Sequence, residues 1–67
     1  HRREEQVIAL AHRMADRVKE TGAPITLEPM TPAERRLVHI AFVDDEEIAT
    51  NSVGEGDNRK VVISLKQ

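Results

Sequence analysis

The sequence predicts an α+β fold in which two helices pack on one face of a three-stranded, mainly antiparallel sheet. Two observations support this prediction. Apolar residues recur with a helical period in two segments and alternate with a period of two in the last segment. Turn residues separate these segments into the order helix, strand, helix, strand, strand. The last two strands form a hairpin, and the first strand, which crosses over through the second helix, can pair beside the last strand. The other face of the sheet is expected to be open to solvent.

The first helix is predicted from about Arg3 to Glu20. Its first turn carries Glu4 and Glu5, where the helix dipole favours acids. Gly22 is suited to a C-terminal cap, and Pro24 prevents continuation of the helix. The stripe expected to face a core consists of Val7, Ile8, Leu10, Ala11, Met14, Ala15 and Val18.

The second helix has the clearest local signal in the chain. Before it, Ile25–Glu28 alternates apolar and polar residues, which predicts a short strand that Pro29 ends. Thr31-Pro32-Ala33-Glu34 is then a capping box with proline at the first helical position. We expect the helix to run from Pro32 to about Asp44, because the acidic run 44–47 is unfavourable at the negative end of the helix dipole.

The hairpin is predicted from a weak strand over Ile48–Val53 and a stronger strand over Arg59–Lys66. The stronger strand points Val61, Ile63 and Leu65 to one side and Lys60, Val62, Ser64 and Lys66 to the other. In the turn between the strands, two glycines together with Asp57 and Asn58 are expected to supply positive φ angles.

Length and composition exclude several classes of protein. The chain has 67 residues, enough for one small domain. Ten Lys and Arg against twelve Asp and Glu exclude a uniformly basic nucleic-acid binder, so any basic patch must be local. One aromatic residue, Phe42, argues against a base-stacking platform. The absence of cysteine excludes disulfides, thiol catalysis and cysteine-type zinc sites, and it fits a cytoplasmic location.

Two further features concern membranes and chain ends. No segment approaches the roughly 20 apolar residues of a membrane helix, so no membrane insertion is expected. The chain begins at His1 rather than Met, which indicates a piece of a longer protein. The sequence alone does not establish His1 as a native residue.

The second helix carries three candidate binding residues: Arg35, Arg36 and His39. Arg35 and His39 are four residues apart and therefore project from one face as neighbours. Their presence on an otherwise apolar helix is compatible with a ligand site, although the spacing alone favours the other interpretation. The competing interpretation is a solvated helix edge, with Arg35 paired to an acid and His39 bonded to a backbone carbonyl.

The hairpin carries a second candidate cluster. Ser52, Gly54 and Gly56 place a hydroxyl and backbone N–H groups in a tight turn, and Arg59 and Lys60 follow at once. Backbone N–H groups in such a turn can bind an anion such as phosphate. The competing interpretation is an ordinary hairpin turn with basic residues guarding a sheet edge. The segment is not a nucleotide P-loop, because the terminal Gly-Lys-Ser or Gly-Lys-Thr is missing.

Together these clusters resemble the R3H domain, and most closely the C-terminal R3H domain of the bacterial Jag family. The Arg-x-x-x-His signature matches Arg35–His39, and the Ser-x-Gly-x-Gly segment with its following arginine matches Ser52–Arg59. The stretch Leu27–Arg36, which includes the proline-capped helix start, is similar to the Jag proteins. The resemblance covers nearly the whole chain.

The resemblance implies binding of single-stranded nucleic acid. RNA is the expected ligand, and single-stranded DNA is the alternative. The resemblance implies no cofactor. Phosphate contacts would come from Arg35, Arg36, His39, Ser52, Gly54, Gly56, Arg59 and Lys60. A KH domain would precede this one, and partners would lie near the membrane insertase or the cell-elongation machinery. The resemblance also implies a three-stranded sheet with two helices on one side, which agrees with the pattern of the residues.

Two other classes of function compete with this one. Catalysis is not expected, because the spacing of His12 and His39 from the acidic run matches no standard metal site and no nucleophile is paired with a base. A protein-interaction module is the stronger rival. In that case the domain would dock on a partner or on its own KH domain through Arg35 and His39.

Overall fold

The computed structural model describes residues 2–66 and confirms the predicted order of elements. The elements are helix α1 (Arg2–Thr21), strand β1 (Ile25–Thr26), helix α2 (Pro32–Ala41), strand β2 (Ile48–Val53) and strand β3 (Lys60–Leu65). A 3-10 helix, Gly56–Asn58, lies between β2 and β3. The prediction about His1 lies outside the described residues.

The three strands form one antiparallel sheet in the order β1-β3-β2. Ile25 of β1 lies opposite Ile63 of β3, and Ile48 of β2 lies opposite Leu65. The first strand therefore lies beside the last, as predicted, and β2 has no strand on its outer side among the described residues. This free edge adjoins α2.

The core lies between the two helices and one face of the sheet. Its buried side chains are Val7, Ala11, Ala15, Val18, Leu27, Met30, Val38, Phe42, Ile48, Val61 and Ile63. The predicted stripe of α1 supplies four of them, and Ile8 and Leu10 flank it half-buried. Each large aliphatic side chain contributes about 1.5–3 kcal/mol when fully buried. No strand residue on the opposite face, which includes Lys60, Val62 and Ser64, is buried, so that face is open as predicted.

Three elements are shorter than predicted. Strand β3 covers Lys60–Leu65 rather than Arg59–Lys66. Strand β1 ends at Thr26 rather than Glu28, although the Leu27 N–H still donates to the carbonyl of Val61 at 2.8 Å. Helix α2 ends at Ala41 rather than Asp44. After it, the N–H groups of Phe42 and Val43 bond to carbonyls three residues back, which is the tighter 3-10 pattern common at helix ends.

The turn between β2 and β3 differs from the prediction in its backbone angles. Gly54 has φ 88° and Gly56 has φ 59°, whereas no non-glycine residue within 2–66 has a positive φ. The expectation for Asp57 and Asn58 was therefore wrong. These two residues are the last two of the 3-10 helix, and neither has a positive φ angle.

Candidate nucleic-acid interface

The first turn of α2 is held by reciprocal capping bonds. The Thr31 hydroxyl accepts from the Glu34 N–H at 3.2 Å, and the Glu34 carboxylate accepts from the Thr31 N–H at 3.1 Å, which confirms the capping box. The same carboxylate accepts from Arg3 Nε at 2.8 Å, which joins α1 to α2. The Arg3 hydrogen bond, followed by the Thr31 N–H, lowers the pKa of Glu34 below its ordinary value. These bonds hold the backbone of the first turn, and the next residue, Arg35, follows directly from it.

Arg35 is half-buried and anchored to the loop that precedes α2. Its Nη1 donates to the carbonyl oxygen of Met30 at 2.5 Å. A guanidinium has five N–H donors, so this bond orients the group and leaves most of its donors for a ligand. The competing interpretation, in which Arg35 pairs with an acid, does not describe this structure.

His39 contacts β2 rather than a backbone carbonyl. Its Nδ1 lies 3.0 Å from the hydroxyl oxygen of Thr50. Whichever of the two groups donates, Nδ1 is engaged, and Nε2 is the ring nitrogen left for a ligand. Thr50 therefore sets the orientation of the imidazole.

A groove of about 450 Å³ runs between α2 and β2 and gathers most of the predicted site. Its lining consists of Pro32, Arg35, Arg36, His39, Thr50, Asn51, Ser52, Arg59 and Val61. We call it the arginine groove. Ser52 lies opposite Val61, and Thr50 lies opposite Ile63, so both hydroxyl-bearing side chains are on the face of the sheet that meets the helices. The hairpin register thus places Thr50 and Ser52 beside the signature helix.

A second depression of about 430 Å³ continues the groove toward the hairpin turn. It is lined by Met30, Thr31, Pro32, Arg35, Gly56, Asp57 and Arg59. Pro32, Arg35 and Arg59 belong to both surfaces, so the two are continuous. Gly56 joins the site here, and the Asp57 carboxylate adds one negative charge to the rim.

Gly54 and Lys60 do not line either surface. A Cβ at Gly54 would lie 3.0 Å from the carbonyl oxygen of Asn58, so glycine is needed there to close the turn. Lys60 lies opposite Val53 on the open face of the sheet, away from α2. The structure therefore brings together six of the eight predicted residues.

The groove is locally positive although the chain has a net charge of −2. Within the described part of the chain, the ion pairs are Arg3–Glu34 and Lys19–Asp45, and neither involves Arg35, Arg36 or Arg59. Three guanidinium groups therefore remain available to an anion.

Asp45, inside the acidic run, is occupied in holding the turn before β2. Its carboxylate accepts from the N–H groups of Glu47 at 2.8 Å and Ile48 at 3.2 Å, and it pairs with Lys19 at 3.3 Å. The Glu47 N–H is the main cause of the lowered pKa of Asp45, and Lys19 adds to it. The local positive charge predicted from the sequence thus coexists with an acidic run that has a structural role.

Four residues of the arginine groove were not among the predicted site residues: Pro32, Thr50, Asn51 and Val61. One signal was available, because Thr50-Asn51-Ser52 is a polar run inside a strand. The pairing of Thr50 with His39 depends on the tertiary packing of β2 against α2, which no local pattern specifies.

Residues 2–66 contain neither a metal-binding cluster nor a membrane-spanning helix. No group of three or more His, Cys, Asp and Glu side chains is arranged to hold a metal ion there. In the same range, neither helix combines the length and apolar character needed to cross a membrane.

Comparison with known proteins places these residues in context. The family model described as "R3H domain" matches residues 5–65. The chain is 46% identical over 66 residues to the RNA-binding protein KhpB of Clostridium symbiosum and 41% identical over 68 residues to that of Bacillus subtilis. Each match covers 98% of this chain but only 30% and 33% of the relative, so the chain spans about a third of their length. The RNA-binding protein KhpB of Lactiplantibacillus plantarum is 33% identical over 58 residues, which cover 87% of this chain and 18% of the relative's length.

Proposed function

This chain belongs to the R3H domain family, and on that premise we propose that it binds single-stranded nucleic acid, RNA in particular, through phosphate contacts in the arginine groove. The observation that carries the proposal is the set of three guanidinium groups, Arg35, Arg36 and Arg59, that line one surface without an acidic partner. Arg side chains donate two parallel hydrogen bonds to phosphate, so this set is suited to a phosphodiester backbone.

The remaining groups of the groove fit the same ligand. His39 offers Nε2 to a phosphate or sugar oxygen, and the Ser52 hydroxyl offers a further donor. Phosphate contacts position a strand and carry no sequence information directly. We therefore expect weak, salt-sensitive binding with low sequence preference from the arginine groove alone.

The names of the relatives support RNA as the ligand, because each is an RNA-binding protein. A cytoplasmic location is also part of the proposal. A preceding KH domain and a protein partner near the insertase or elongation machinery stay predictions of the resemblance.

The test is an anisotropy titration of a labelled single-stranded RNA, with the DNA of the same sequence in parallel, over a series of salt concentrations. We expect log affinity to fall with log salt at a slope of about −0.7 for each phosphate neutralised. Arg35→Gln should weaken binding, whereas Arg13→Gln, an equal charge change on the exposed face of α1, should not. Salt-independent binding, or equal effects of the two substitutions, would overturn the proposal.

If Arg35→Gln leaves RNA affinity unchanged in a folded protein but abolishes capture of a protein partner, the interaction-module interpretation is correct instead. Circular dichroism of each variant confirms that the fold is intact.

A further inference from the structure

A third depression lies on the other side of the His39–Thr50 contact. It has a volume of about 200 Å³ and is lined by His39, Phe42, Val43, Ile48, Ala49, Thr50 and Lys66. His39 and Thr50 also line the arginine groove. The depression therefore continues the groove along the free edge of β2, in the direction opposite to the hairpin turn.

The chemistry of this depression differs from that of the arginine groove. Phe42 and Ile48 are 4% and 1% exposed, so the apolar core reaches the surface at its floor. Val43 is 61% exposed and forms an apolar wall in the turn after α2. Among the described residues, no acidic side chain lines it. Lys66, whose Nζ donates to the Asp45 carbonyl at 3.3 Å, also lines it. The surface suits a neutral, partly apolar group attached to an anionic chain.

The backbone of β2 adds hydrogen-bonding capacity at this place. The Lys66 N–H donates to the Glu47 carbonyl at 2.8 Å, which marks residue 47 as one whose backbone faces β3. Because antiparallel ladders alternate, residues 48, 50 and 52 turn their N–H and C=O groups toward the free edge. The hydrogen bond of the Ile48 N–H is consistent with this alternation, because it goes to the Asp45 carboxylate rather than to β3. Thr50 thus presents one backbone donor and one acceptor beside the depression.

We propose that this depression, here named the base subsite, holds one nucleobase of the strand whose phosphates bind in the arginine groove. The proposal rests on the proposed function. A nucleobase combines flat, weakly polar faces with an edge of donors and acceptors, which matches an apolar floor beside the Thr50 backbone. A pocket that encloses a drug-sized ligand measures about 300–1,000 Å³, so the smaller base subsite suits a single ring system.

The position of the base subsite also fits the repeat of a nucleic-acid strand. Phosphates and bases alternate along the chain, and cationic groups flank the subsite on both sides. Arg35 and Arg36 lie in the groove beyond His39, and Lys66 stands at the opposite rim. A strand that places a phosphate in the groove can place its neighbouring base beside Val43 and its next phosphate near Lys66.

The experiment compares a tetranucleotide RNA with versions in which one nucleotide at a time is an abasic ribose phosphate. Binding to the 67-residue chain is followed by NMR at the Val43 methyl groups. The Ile40 methyl groups serve as an internal control, because Ile40 is 58% exposed close by in the chain but does not line the subsite. An aromatic base against Val43 shifts its methyl resonances through the ring current. We expect that shift with the intact RNA and its loss when one particular position is abasic.

Matched substitutions give a second readout. Val43→Ser and Ile40→Ser each remove an exposed branched side chain without changing charge. Intact RNA should bind several-fold more tightly than the abasic RNA that fails to shift the Val43 methyl resonances. Val43→Ser should remove this difference in affinity, whereas Ile40→Ser should retain it.

The outcomes separate this proposal from the one on which it rests. If intact and abasic strands bind equally and Val43→Ser behaves like Ile40→Ser, the base subsite is wrong while phosphate binding stands. If neither strand binds, both proposals fail. If an apolar protein ligand shifts the Val43 resonances and RNA does not, the depression is a protein-docking surface and the base subsite is again wrong.

Discussion

The imidazole Nδ1 of His39 lies 3.0 Å from the hydroxyl of Thr50, eleven residues along the chain. This contact joins α2 to the free edge of the sheet and separates the arginine groove from the base subsite. A histidine that reaches across from a helix to a strand hydroxyl has its ring plane fixed by both elements. The contact therefore makes the orientation of a signature residue depend on a residue outside the signature.

Replacing Thr50 with valine should weaken RNA binding about two- to tenfold, the range of one hydrogen bond's net contribution. Valine keeps the shape of threonine and removes the hydroxyl that orients His39. The measurement is the Kd for single-stranded RNA by anisotropy. Thr26→Val, the same change on the outer face of β1, serves as the control. Equal affinity of the two variants would show that Thr50 does not position His39.

Arg59 and Lys60 are adjacent in sequence but should differ in their effect on binding. Arg59 lines both groove surfaces, whereas Lys60 lies on the open face of the sheet. Arg59→Gln should lower affinity and reduce the salt slope by about 0.7. Lys60→Gln should change neither quantity by a comparable amount. If Lys60→Gln has the larger effect, the strand runs over the open face and the arginine groove is not the site.

Loss of the helix cap should destabilise the whole domain. Thr31→Ala removes the hydroxyl that accepts from the Glu34 N–H, and we expect the free energy of unfolding to fall by about 0.5–2 kcal/mol. Urea unfolding followed by circular dichroism measures the change. Thr31→Ser retains the capping oxygen and should recover most of the loss. A Thr31→Ser variant as unstable as Thr31→Ala would mean that the cap is not the cause.

Stability should decrease in acid because two carboxylates have lowered pKa values in the folded state. Arg3 and the Thr31 N–H lower the pKa of Glu34, and the Glu47 N–H and Lys19 lower that of Asp45. A group whose folded pKa is depressed contributes stability above its unfolded pKa, about 4.3 for Glu and 3.9 for Asp. That contribution is lost as pH falls below these values through the folded pKa.

The check is the urea midpoint measured from pH 6 down to about pH 3, the range that spans ordinary carboxylate titration. Glu34→Gln should reduce the dependence on pH, since glutamine does not titrate. Glu46→Gln, at an exposed position in the acidic run, should keep the dependence of the parent chain. Identical pH profiles for the parent and Glu34→Gln would contradict the assignment.

The two hairpin glycines should differ in their tolerance of a side chain. Both have positive φ, which costs a non-glycine residue about 1–2 kcal/mol. At Gly54 a Cβ would also lie 3.0 Å from the carbonyl oxygen of Asn58, whereas nothing lies within 4 Å at Gly56. Gly54→Ala should therefore lower the free energy of unfolding by more than Gly56→Ala. The opposite order would indicate that the turn rearranges freely.

Features specified by neighbouring residues were predicted well from the sequence. The capping box, its proline and the start of α2 depend on side chains within four residues of one another, and the structure has them as predicted. The predicted end of α2 lies three residues too late, because the prediction takes the acidic run as the stop. The helix instead ends at Ala41 and passes into a tighter turn in which Phe42 is buried in the core.

The composition of the site was predicted in part. The signature spacing located Arg35, Arg36 and His39, and the structure assembles them with Ser52 and Arg59. Thr50 and the neighbouring apolar depression could not be read from the sequence, because they arise from the packing of β2 against α2. Val43 illustrates the limit: it lies within the predicted span of α2, yet it follows the observed end of the helix and is 61% exposed.

The free edge of β2 has a consequence for the behaviour of the chain at high concentration. An unpaired strand edge is a template on which a second copy can add its own strand, the first step of aggregation. Here the edge runs beside Arg35 and Arg36, so two copies that approach edge to edge bring like charges together. The guanidinium groups that would attract a phosphate backbone would thus also oppose this association. A bound polyanion would cancel that repulsion and, by lying along the same edge, cover the strand that the repulsion had protected.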